Sequence, residues 1–410
     1  MSSSRLYYGW VVLAVAGLCY GFGMSPVYYS WSIFAPRMTA ELAIDRAQVG
    51  GVFGLFTTLY QCVGLAVGLA IARFGLRVVM PFGFCVTATG LVYLTGADTA
   101  LDCFLGFSLL GGIGIGFSTI VPAQTLGQNW FLRRRALVIG IIFAGGGIAG
   151  GLVAPVDVWI LRHYDWRWGW GAVAAVSAVL GLLAGLLVRE TPESMGQRLD
   201  GDDEGVAERR DPAASTGWSA TQAIRTPQFL LMLVCGVAYA VPYNTAVAHL
   251  TLHLTDLGHA ETVAIGFVGV MAVVSIAGRL LGAVGDWVAP QVALAMALAC
   301  EGVGAGLLVA ATDRALALVA VGLIGLGFGM AFVSIPVVFS HFFGRRAFAV
   351  TSGLRMTCTG VFGGLGPWLA GLVFDATGSY TIPFVGLLTI GLAGAAAAAA
   401  TRHPGAPPSA

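Results

Sequence analysis

The sequence GGIGIGFSTIVPAQTLGQNWFLRRRAL occupies residues 111–137, and a second version of it, GLIGLGFGMAFVSIPVVFSHFFGRRAF, occupies residues 322–348. In both, an apolar run containing glycines ends at a basic loop. An offset of 211 positions aligns Gly111, Gly114, Gly116 and Phe117 with Gly322, Gly325, Gly327 and Phe328, and Phe131, Arg134, Arg135 and Ala136 with Phe342, Arg345, Arg346 and Ala347. Because one offset explains both matches, the stretch indicates an internal duplication of a helical membrane unit.

The composition supports a membrane protein. Of the 410 residues, 57% are hydrophobic and 10% are charged, whereas a soluble globular protein has about 25% charged residues. So much apolar surface needs lipid as its solvent. All 21 basic residues are arginine, so a Walker A loop or a Schiff base, each of which needs a lysine, cannot be built here. The seven cysteines stand singly, without metal-ligand spacing, and we expect neither a metal nor a cofactor.

The hydrophobic runs are long enough to span a bilayer, which takes about 20 apolar residues. There are twelve such runs, six on each side of an acidic, hydrophilic segment. They lie at residues 8–34, 48–71, 78–96, 101–127, 136–160, 168–188, 227–255, 262–284, 290–312, 315–340, 348–373 and 381–400. The sequence therefore predicts an all-α membrane protein with twelve transmembrane helices in two pseudo-symmetric six-helix bundles, residues 1–188 and 227–410, joined by a cytoplasmic linker at residues 189–226.

The distribution of arginine in the short loops predicts the orientation. One side collects Arg5, Arg73, Arg77, Arg133, Arg134, Arg135, Arg345, Arg346 and Arg402, and the other has Arg37, Arg46, Arg162, Arg167 and Arg314. Since positively charged loops stay in the cytoplasm, we expect both termini and the linker there, in a multi-pass protein of the cytoplasmic membrane. A duplicated six-helix unit is typical of transporters whose two bundles rock around a site near the membrane midplane.

The loop that follows the second span resembles the cytoplasmic signature of the major facilitator superfamily. It reads GLAIARFGLR at residues 68–77, with Ala72 where an aspartate is usual, and the second copy, GRLLGAVGD at residues 278–286, keeps its aspartate as Asp286. The resemblance implies conformational roles for Arg73, Arg77 and Asp286, and for Arg134 and Arg345 in the repeated basic loops.

Within that superfamily, four segments are similar to bacterial monocarboxylate transporters and oxalate/formate antiporters. They are YYGW at 7–10, WFLRRRAL at 130–137, His249-Leu250 with TDLG at 255–258, and Gly366-Pro367 with FDATGSY at 374–380. The resemblance implies a small organic anion as substrate, a proton as co-substrate and the lipid bilayer as surroundings. We expect no nucleic-acid partner and a chain that functions as a monomer.

Arg279 is the principal candidate for anion binding. It lies near the middle of the predicted eighth span, where a charge is costly unless it is paired or functional, and its planar fork suits a carboxylate. In the resembling branch, the corresponding arginine holds the substrate carboxylate. The alternatives are a salt bridge to Asp157 or Glu301, or an arginine that extends to the cytoplasmic surface.

His249 and His253 lie four residues apart on the seventh span and share a face. A zinc protease site is not favoured, because Leu250 stands where HExxH needs glutamate and no third ligand is evident. We interpret His249 as a proton-sensitive group that lines the cavity, with a structural hydrogen bond to a carbonyl as the alternative. His253 is expected nearer the outer water, beside Asp256.

Further polar residues are candidates for the lining of the site. We assign Tyr28, Ser118, Thr119, Tyr243, Asn244 and Cys358 to substrate binding, and Asp157 to a gate near the outer end of the fifth span. Arg355 is expected to line the inner vestibule or to reach headgroups. Glycines at spacing four, Gly64 with Gly68 and Gly147 with Gly151, predict close helix packing.

Two departures from the resembling families bear on mechanism. Oxalate carriers have a second basic residue on the eleventh span, whereas Thr357-Cys358-Thr359-Gly360 offers none, which favours a monoanion. Animal proton-coupled relatives have acids at the start of the first span and one turn before the arginine, where this chain has Tyr7 or Tyr8 and Ser275. We therefore expect His249 or the substrate itself to carry the proton.

The sequence thus predicts a secondary transporter of a lactate- or pyruvate-like monocarboxylate, driven with a proton by alternating access. An exporter of other metabolites or drugs, a dicarboxylate/monocarboxylate antiporter and a non-transporting membrane anion sensor are the alternatives. An enzyme is not favoured, because no nucleophile and base stand at usable spacing.

Overall fold

The computed structural model describes residues 7–131, 135–198, 218–282 and 289–405, and most of these residues lie in long apolar helices. Eleven helices in this part of the chain are long and apolar enough to cross a bilayer, and a bent pair supplies a twelfth. The predicted all-α class with twelve spans is therefore confirmed. The spans are α1 Gly9–Leu42, α2 Arg46–Cys62 with Ala66–Phe74, α3 Leu76–Leu94, α4 Ala100–Trp130, α5 Val138–His163, α6 Trp166–Leu187, α7 Pro227–Asp256, α8 Glu261–Gly282, α9 Pro290–Ala310, α10 Arg314–Phe343, α11 Gly353–Thr377 and α12 Thr381–Ala400.

Two spans depart from regular helix, and one connection between spans is unusually short. The two parts of α2 meet at an angle of 49°, and α4 contains a π-helical segment at Phe104–Gly111 and a break at Thr119. α10 and α11 follow each other directly, both within the helical stretch Arg314–Thr377. The Arg355 guanidinium nevertheless lies 5.8 Å from the centre of the Phe339 ring, although sixteen residues of straight helix extend about 24 Å. The chain therefore turns back sharply between α10 and α11.

Aspartates begin several spans at the edge of the apolar region. Asp45 accepts a hydrogen bond from the Gln48 amide and completes a capping box at the start of α2. Asp165 and Asp313 cap α6 and α10 in the same manner, each on two backbone amides. Because the first amides of a helix have no intrahelical partner, and lipid offers none, such caps determine where a span can begin.

Glycines allow close contacts between helices of the two halves, residues 7–188 and 227–405. A Cβ at Gly54 on α2 would collide with the carbonyl of Gly364 on α11. Gly147 and Gly151 on α5 pack closely against α8, which fits the predicted role of that pair. The same prediction for Gly64 and Gly68 is wrong, because a Cβ at either position meets nothing within 4 Å.

The two ends of the first half lie on one side of the membrane. The Tyr8 amide donates to Gln197 Oε1 at 2.9 Å, and the Tyr8 hydroxyl donates to the Leu187 carbonyl at 2.8 Å. We call this side, which carries the start of α1 and the end of α6, the linker side. The opposite side, which carries the connections from α1 to α2 and from α7 to α8, is the far side.

Candidate functional site

Arg279 lies between the two halves of the molecule. Its Nη1 donates to the Phe143 carbonyl of α5 at 2.6 Å, and its guanidinium lies 5.1 Å from the centre of the Phe332 ring of α10. The side chain is half-buried, and its Nε has no hydrogen-bond partner in the described part of the chain. Arg279 lies on the linker-side part of α8, in the last turn that the structure describes before residues 283–288.

Aromatic rings hold the Arg279 side chain in place without neutralising its charge. Phe143 packs edge to face against Tyr20 and Phe332, with ring centres 4.7 and 5.2 Å apart. Among the described residues, no carboxylate lies within 4 Å of the guanidinium, so neither Asp157 nor Glu301 forms the salt bridge considered from the sequence. A desolvated, unpaired arginine attracts an anion strongly.

Tyrosines from both halves meet on the far-side flank of this arginine. Tyr29 and Tyr243 share a hydrogen bond of 2.6 Å, and the Tyr28 hydroxyl donates to Asn244 Oδ1. The Tyr243 ring stacks on Phe328 with centres 3.5 Å apart. The predicted binding residues Tyr28, Tyr243 and Asn244 are thus brought together, and they join α1 to α7.

Ser118, Thr119 and Cys358 lie apart from the tyrosine pairs. Ser118 donates to the Gly114 carbonyl at 2.9 Å, and Thr119 to the Ile115 carbonyl at 2.7 Å. Both hydroxyls are buried and bonded within their own helix, α4. Cys358 is half-buried on α11, near Cys62 of α2. Their assignment to substrate binding stays a prediction.

His249 occupies a contact between three helices on the far side. Its Nε2 lies 2.8 Å from the Pro367 carbonyl of α11, and its Nδ1 lies 2.9 Å from the Tyr380 hydroxyl. A Cβ at Gly50 of α2 would lie 2.8 Å from the same Nε2. The ring is fully buried with both nitrogens engaged, an arrangement that corresponds to the structural alternative for His249.

The predicted conformational residues are dispersed. Asp157 is buried on α5 beside the Ser30 hydroxyl, and its Oδ2 has no hydrogen-bond partner among the described residues. Arg77 donates from Nε to the Gly185 carbonyl at 3.0 Å, which ties α3 to α6, and Arg73 is exposed beside Phe74. Arg134, Asp286 and the Arg345 side chain lie outside the described residues.

A far-side latch joins the halves through an ion pair and a helix cap that the sequence did not predict. Arg46 Nη2 binds Asp256 at 3.0 Å, and the backbone amides of Arg46 and Ala47 donate to Asp375 at 3.1 and 2.8 Å. Asp375 of the second half therefore caps α2 of the first half. The family-like segments at 255–258 and 374–380 contained this signal, but not the partner of either aspartate.

Two further ionisable residues, Arg355 and Glu301, lie near Tyr239 of α7, on the same side of the molecule as Arg279 and away from the far-side latch. Arg355 packs over Phe339 and beside Gly236, and the Tyr239 hydroxyl lies within electrostatic reach of Arg279, Arg355 and Glu301. The sequence offered Glu301 as a candidate salt-bridge partner of Arg279. The described residues contain no group of three potential metal ligands.

Comparisons with known proteins place this architecture in a family. The Major Facilitator Superfamily model matches residues 11–367. The chain is 30% identical to monocarboxylate transporter 13 of Bos taurus, covering 92% of this chain and 85% of that one, and 30% identical to monocarboxylate transporter 11 of Mus musculus, covering 92% and 84%. Its relatives are therefore transporters and not enzymes.

The fold has solved counterparts. A bacterial homologue of the human lysosomal transporter Spinster, crystallised inward-facing and unoccupied, superposes with a TM-score of 0.71 at 18% identity, covering 97% of this chain and 95% of that one. A nucleoside transporter gives 0.74 at 13% identity, covering 96% and 99%. The chain belongs to the Major Facilitator Superfamily and, within it, is a relative of the monocarboxylate transporters.

Proposed function

We propose that the protein is a secondary active transporter that carries a small monocarboxylate, of the lactate or pyruvate kind, together with a proton. The observation that carries this proposal is Arg279, a half-buried cation with a free Nε and no carboxylate within 4 Å among the described residues. One bound carboxylate would neutralise it. The similarity to monocarboxylate transporters supports the same class of substrate.

The setting of the arginine suits a short organic acid. Phe143 and Phe332 offer apolar surface to a hydrocarbon tail, while the guanidinium supplies the charge-assisted donors that orient a carboxylate. The unpartnered amide nitrogen of Asn244 is a further donor at the tyrosine pairs. A lipophilic drug without an anionic group would leave Arg279 unpaired.

Alternating access would proceed by rocking of the two halves around this region. The hydrogen bonds from Tyr28 and Tyr29 to α7, together with the far-side latch, support a far-side-closed state. The arginine distribution favours the cytoplasm for the linker side and for both termini. On this proposal Asp157 is part of the gate, and a monomer in the cytoplasmic membrane is the working unit.

Exchange of a dicarboxylate for a monocarboxylate is the second candidate function. Arg355 favours it, because its charge reaches the Tyr239 hydroxyl from α11 while that of Arg279 reaches it from α8. Two cations around one tyrosine would suit a dianion better than the single arginine expected from the sequence.

The first test is uptake into proteoliposomes with an inward proton gradient. The panel is labelled lactate, pyruvate, acetate, oxalate and succinate, with protein-free liposomes as the background. For the Arg279→Gln variant we expect loss of uptake at unchanged protein content. Arg162→Gln, which removes an exposed arginine at the end of α5, is the matched control and is expected to transport like the wild type.

The outcomes separate the candidate functions. Uptake of monocarboxylates alone supports the proposal, and exchange that requires a dicarboxylate supports the antiporter. Full transport by Arg279→Gln would contradict the binding role. Saturable binding without flux would identify a sensor, and energy-dependent movement of uncharged lipophilic compounds would identify an exporter.

A further inference from the structure

Glu301 is a buried acid on α9 for which neither the fold nor Arg279 provides a partner. Its side chain is fully buried, and neither carboxyl oxygen has a hydrogen-bond partner among the described residues. α9 approaches α10 closely here, since a Cβ at Gly327 would lie 2.9 Å from the Glu301 Cβ. This close packing keeps the Glu301 carboxyl group out of contact with solvent.

The groups that face Glu301 come mainly from α7. The backbone amide of Tyr243 faces the Glu301 carboxyl group. The hydroxyls of Tyr239 on α7 and Tyr28 on α1 lie within electrostatic range of the same carboxyl group. On α10 the neighbouring residue is Gly327, and Gly391 of α12 packs against Gly302, the residue that follows Glu301. Among the described residues, no cation lies within 4 Å of the carboxyl group.

A proline next to this position leaves a backbone acceptor free. Pro242 lies inside α7 and has no N–H, so the carbonyl of Ala238 lacks its intrahelical donor. A protonated Glu301 is a donor as well as an acceptor, whereas the ionised form only accepts. The ionised form has only the Tyr243 amide beside it and no cation within 4 Å among the described residues, and such a carboxylate is costly to bury in a membrane protein.

The position of Glu301 links its charge to the contact between the halves. Tyr243, whose amide faces Glu301, also stacks on Phe328 and binds Tyr29 of α1 through its hydroxyl. Ionisation of Glu301 needs water or a cation, and both require this packing to open. The closed contact therefore fits a Glu301 that holds a proton.

We propose that Glu301 is the residue that carries the co-transported proton. The carboxylate takes a proton from far-side water when the halves are open on that side, keeps it while the contact is closed, and releases it to linker-side water together with the substrate anion. One proton and one anion then move in the same direction, and no net charge crosses. This inference rests on the proposed function and replaces His249 as the proton carrier.

The decisive variant is Glu301→Gln, which retains the shape of the neutral acid and cannot release a proton. In proteoliposomes with labelled lactate, we expect exchange of internal for external lactate to continue at a rate close to that of the wild type. An inward gradient of one pH unit drives about tenfold accumulation for one proton per anion. The variant should lose this gradient-driven uptake above the protein-free background.

The electrical response distinguishes a proton carrier from a residue that only supports the fold. Wild-type uptake should not respond to a potassium diffusion potential set with valinomycin, because the transported pair is neutral. Glu301→Gln should move the anion alone, so an inside-positive potential should accelerate its uptake. Asp98→Asn, which alters an acid whose side chain is 88% exposed and which has no role in the site or the gate, is the control and should remain proton-driven and insensitive to the potential.

Each result has a defined meaning. Gradient-driven, potential-insensitive uptake by Glu301→Gln would overturn the role of Glu301 and leave the proposed function intact. Loss of exchange together with loss of the folded, monodisperse protein would assign Glu301 a structural role and also overturn the inference. If the wild type transported no monocarboxylate, the proposed function itself would fail.

Discussion

The individual residues of the site differ in how far the sequence could predict them. An arginine in an apolar run is recognisable because its burial is costly, so Arg279 could be identified as a candidate. The contacts of Arg279 with the Phe143 carbonyl and the Phe332 ring join α8 to α5 and α10, and a local sequence pattern does not predict them. The partners of His249 come from residues 367 and 380, more than a hundred positions away, and no local pattern contains them.

The Tyr29–Tyr243 hydrogen bond provides a test of the contact between the halves at the scale of single residues. Tyr29→Phe and Tyr243→Phe should each lower the free energy of unfolding by about 1 kcal/mol, because each leaves a buried hydroxyl unpaired. The double variant should cost less than the sum, with a coupling of about 0.5–1.5 kcal/mol. Unfolding in mixed detergent micelles measures all three.

A second double-mutant cycle, in which Tyr239 replaces Tyr243, serves as the control. Tyr239 lies on α7, like Tyr243, and also stacks on Phe328. The hydrogen bond to Tyr29, however, is made by Tyr243. Tyr29→Phe combined with Tyr239→Phe should therefore be additive. Additivity of the Tyr29 and Tyr243 variants would contradict the hydrogen bond.

The helices themselves were largely predictable, and their irregularities were not. Runs of about 20 apolar residues gave all twelve spans. α1, however, continues to Leu42, eight residues beyond the predicted end at 34, because hydropathy falls where the helix passes out of the apolar layer. The 49° bend in α2 and the direct turn from α10 to α11 arise from packing between distant segments, which periodicity does not encode.

The cap that Asp375 places on α2 yields a prediction at this scale. Asp375→Asn removes the negative charge of the side chain that accepts hydrogen bonds from two α2 amides of the other half. The far-side-closed state should therefore be destabilised by about 1–2 kcal/mol. The far side would then open more often. A cysteine in place of the buried Ser32, which bonds Thr251 across the halves, should react with an impermeant maleimide about tenfold faster, since 1.4 kcal/mol is a factor of ten.

Asp313→Asn is the matched control for this cap. Asp313 also accepts from two backbone amides at a far-side helix start, but both belong to its own helix, α10. Its variant should leave the labelling rate of the Ser32 cysteine unchanged. Equal labelling rates in the two aspartate variants would show that the cross-half cap does not hold the far side closed.

At the scale of the whole molecule, the 211-residue offset predicted the two related bundles, because a duplicated sequence folds into two copies of one structure. Which conformation the bundles adopt could not be predicted in this way. That depends on contacts such as Gly54 with Gly364, where two backbones meet with no side chain between them. Arg355 and Glu301 come near Tyr239 only because α9 and α11 pack against α7 in this conformation.

The division into two bundles predicts the effect of cutting the linker. A protease site inserted between residues 199 and 217 should allow complete cleavage of the purified protein. Contacts of α2 with α11, of α5 with α8 and of α1 with α7 remain, so the two fragments should elute together from a sizing column. Lactate exchange should persist after reconstitution. Separation of the fragments would contradict two bundles held by noncovalent contacts.

The far-side latch also makes the protein responsive to its surroundings. The side chains of its ion pair, Arg46 and Asp256, are 18% and 37% exposed. Attraction between exposed charges is screened over a Debye length of about 10 Å at 0.1 M salt. The ionic strength of the solution on the far side should therefore affect how readily that side opens, so the same carrier would work at different speeds in dilute and in concentrated salt.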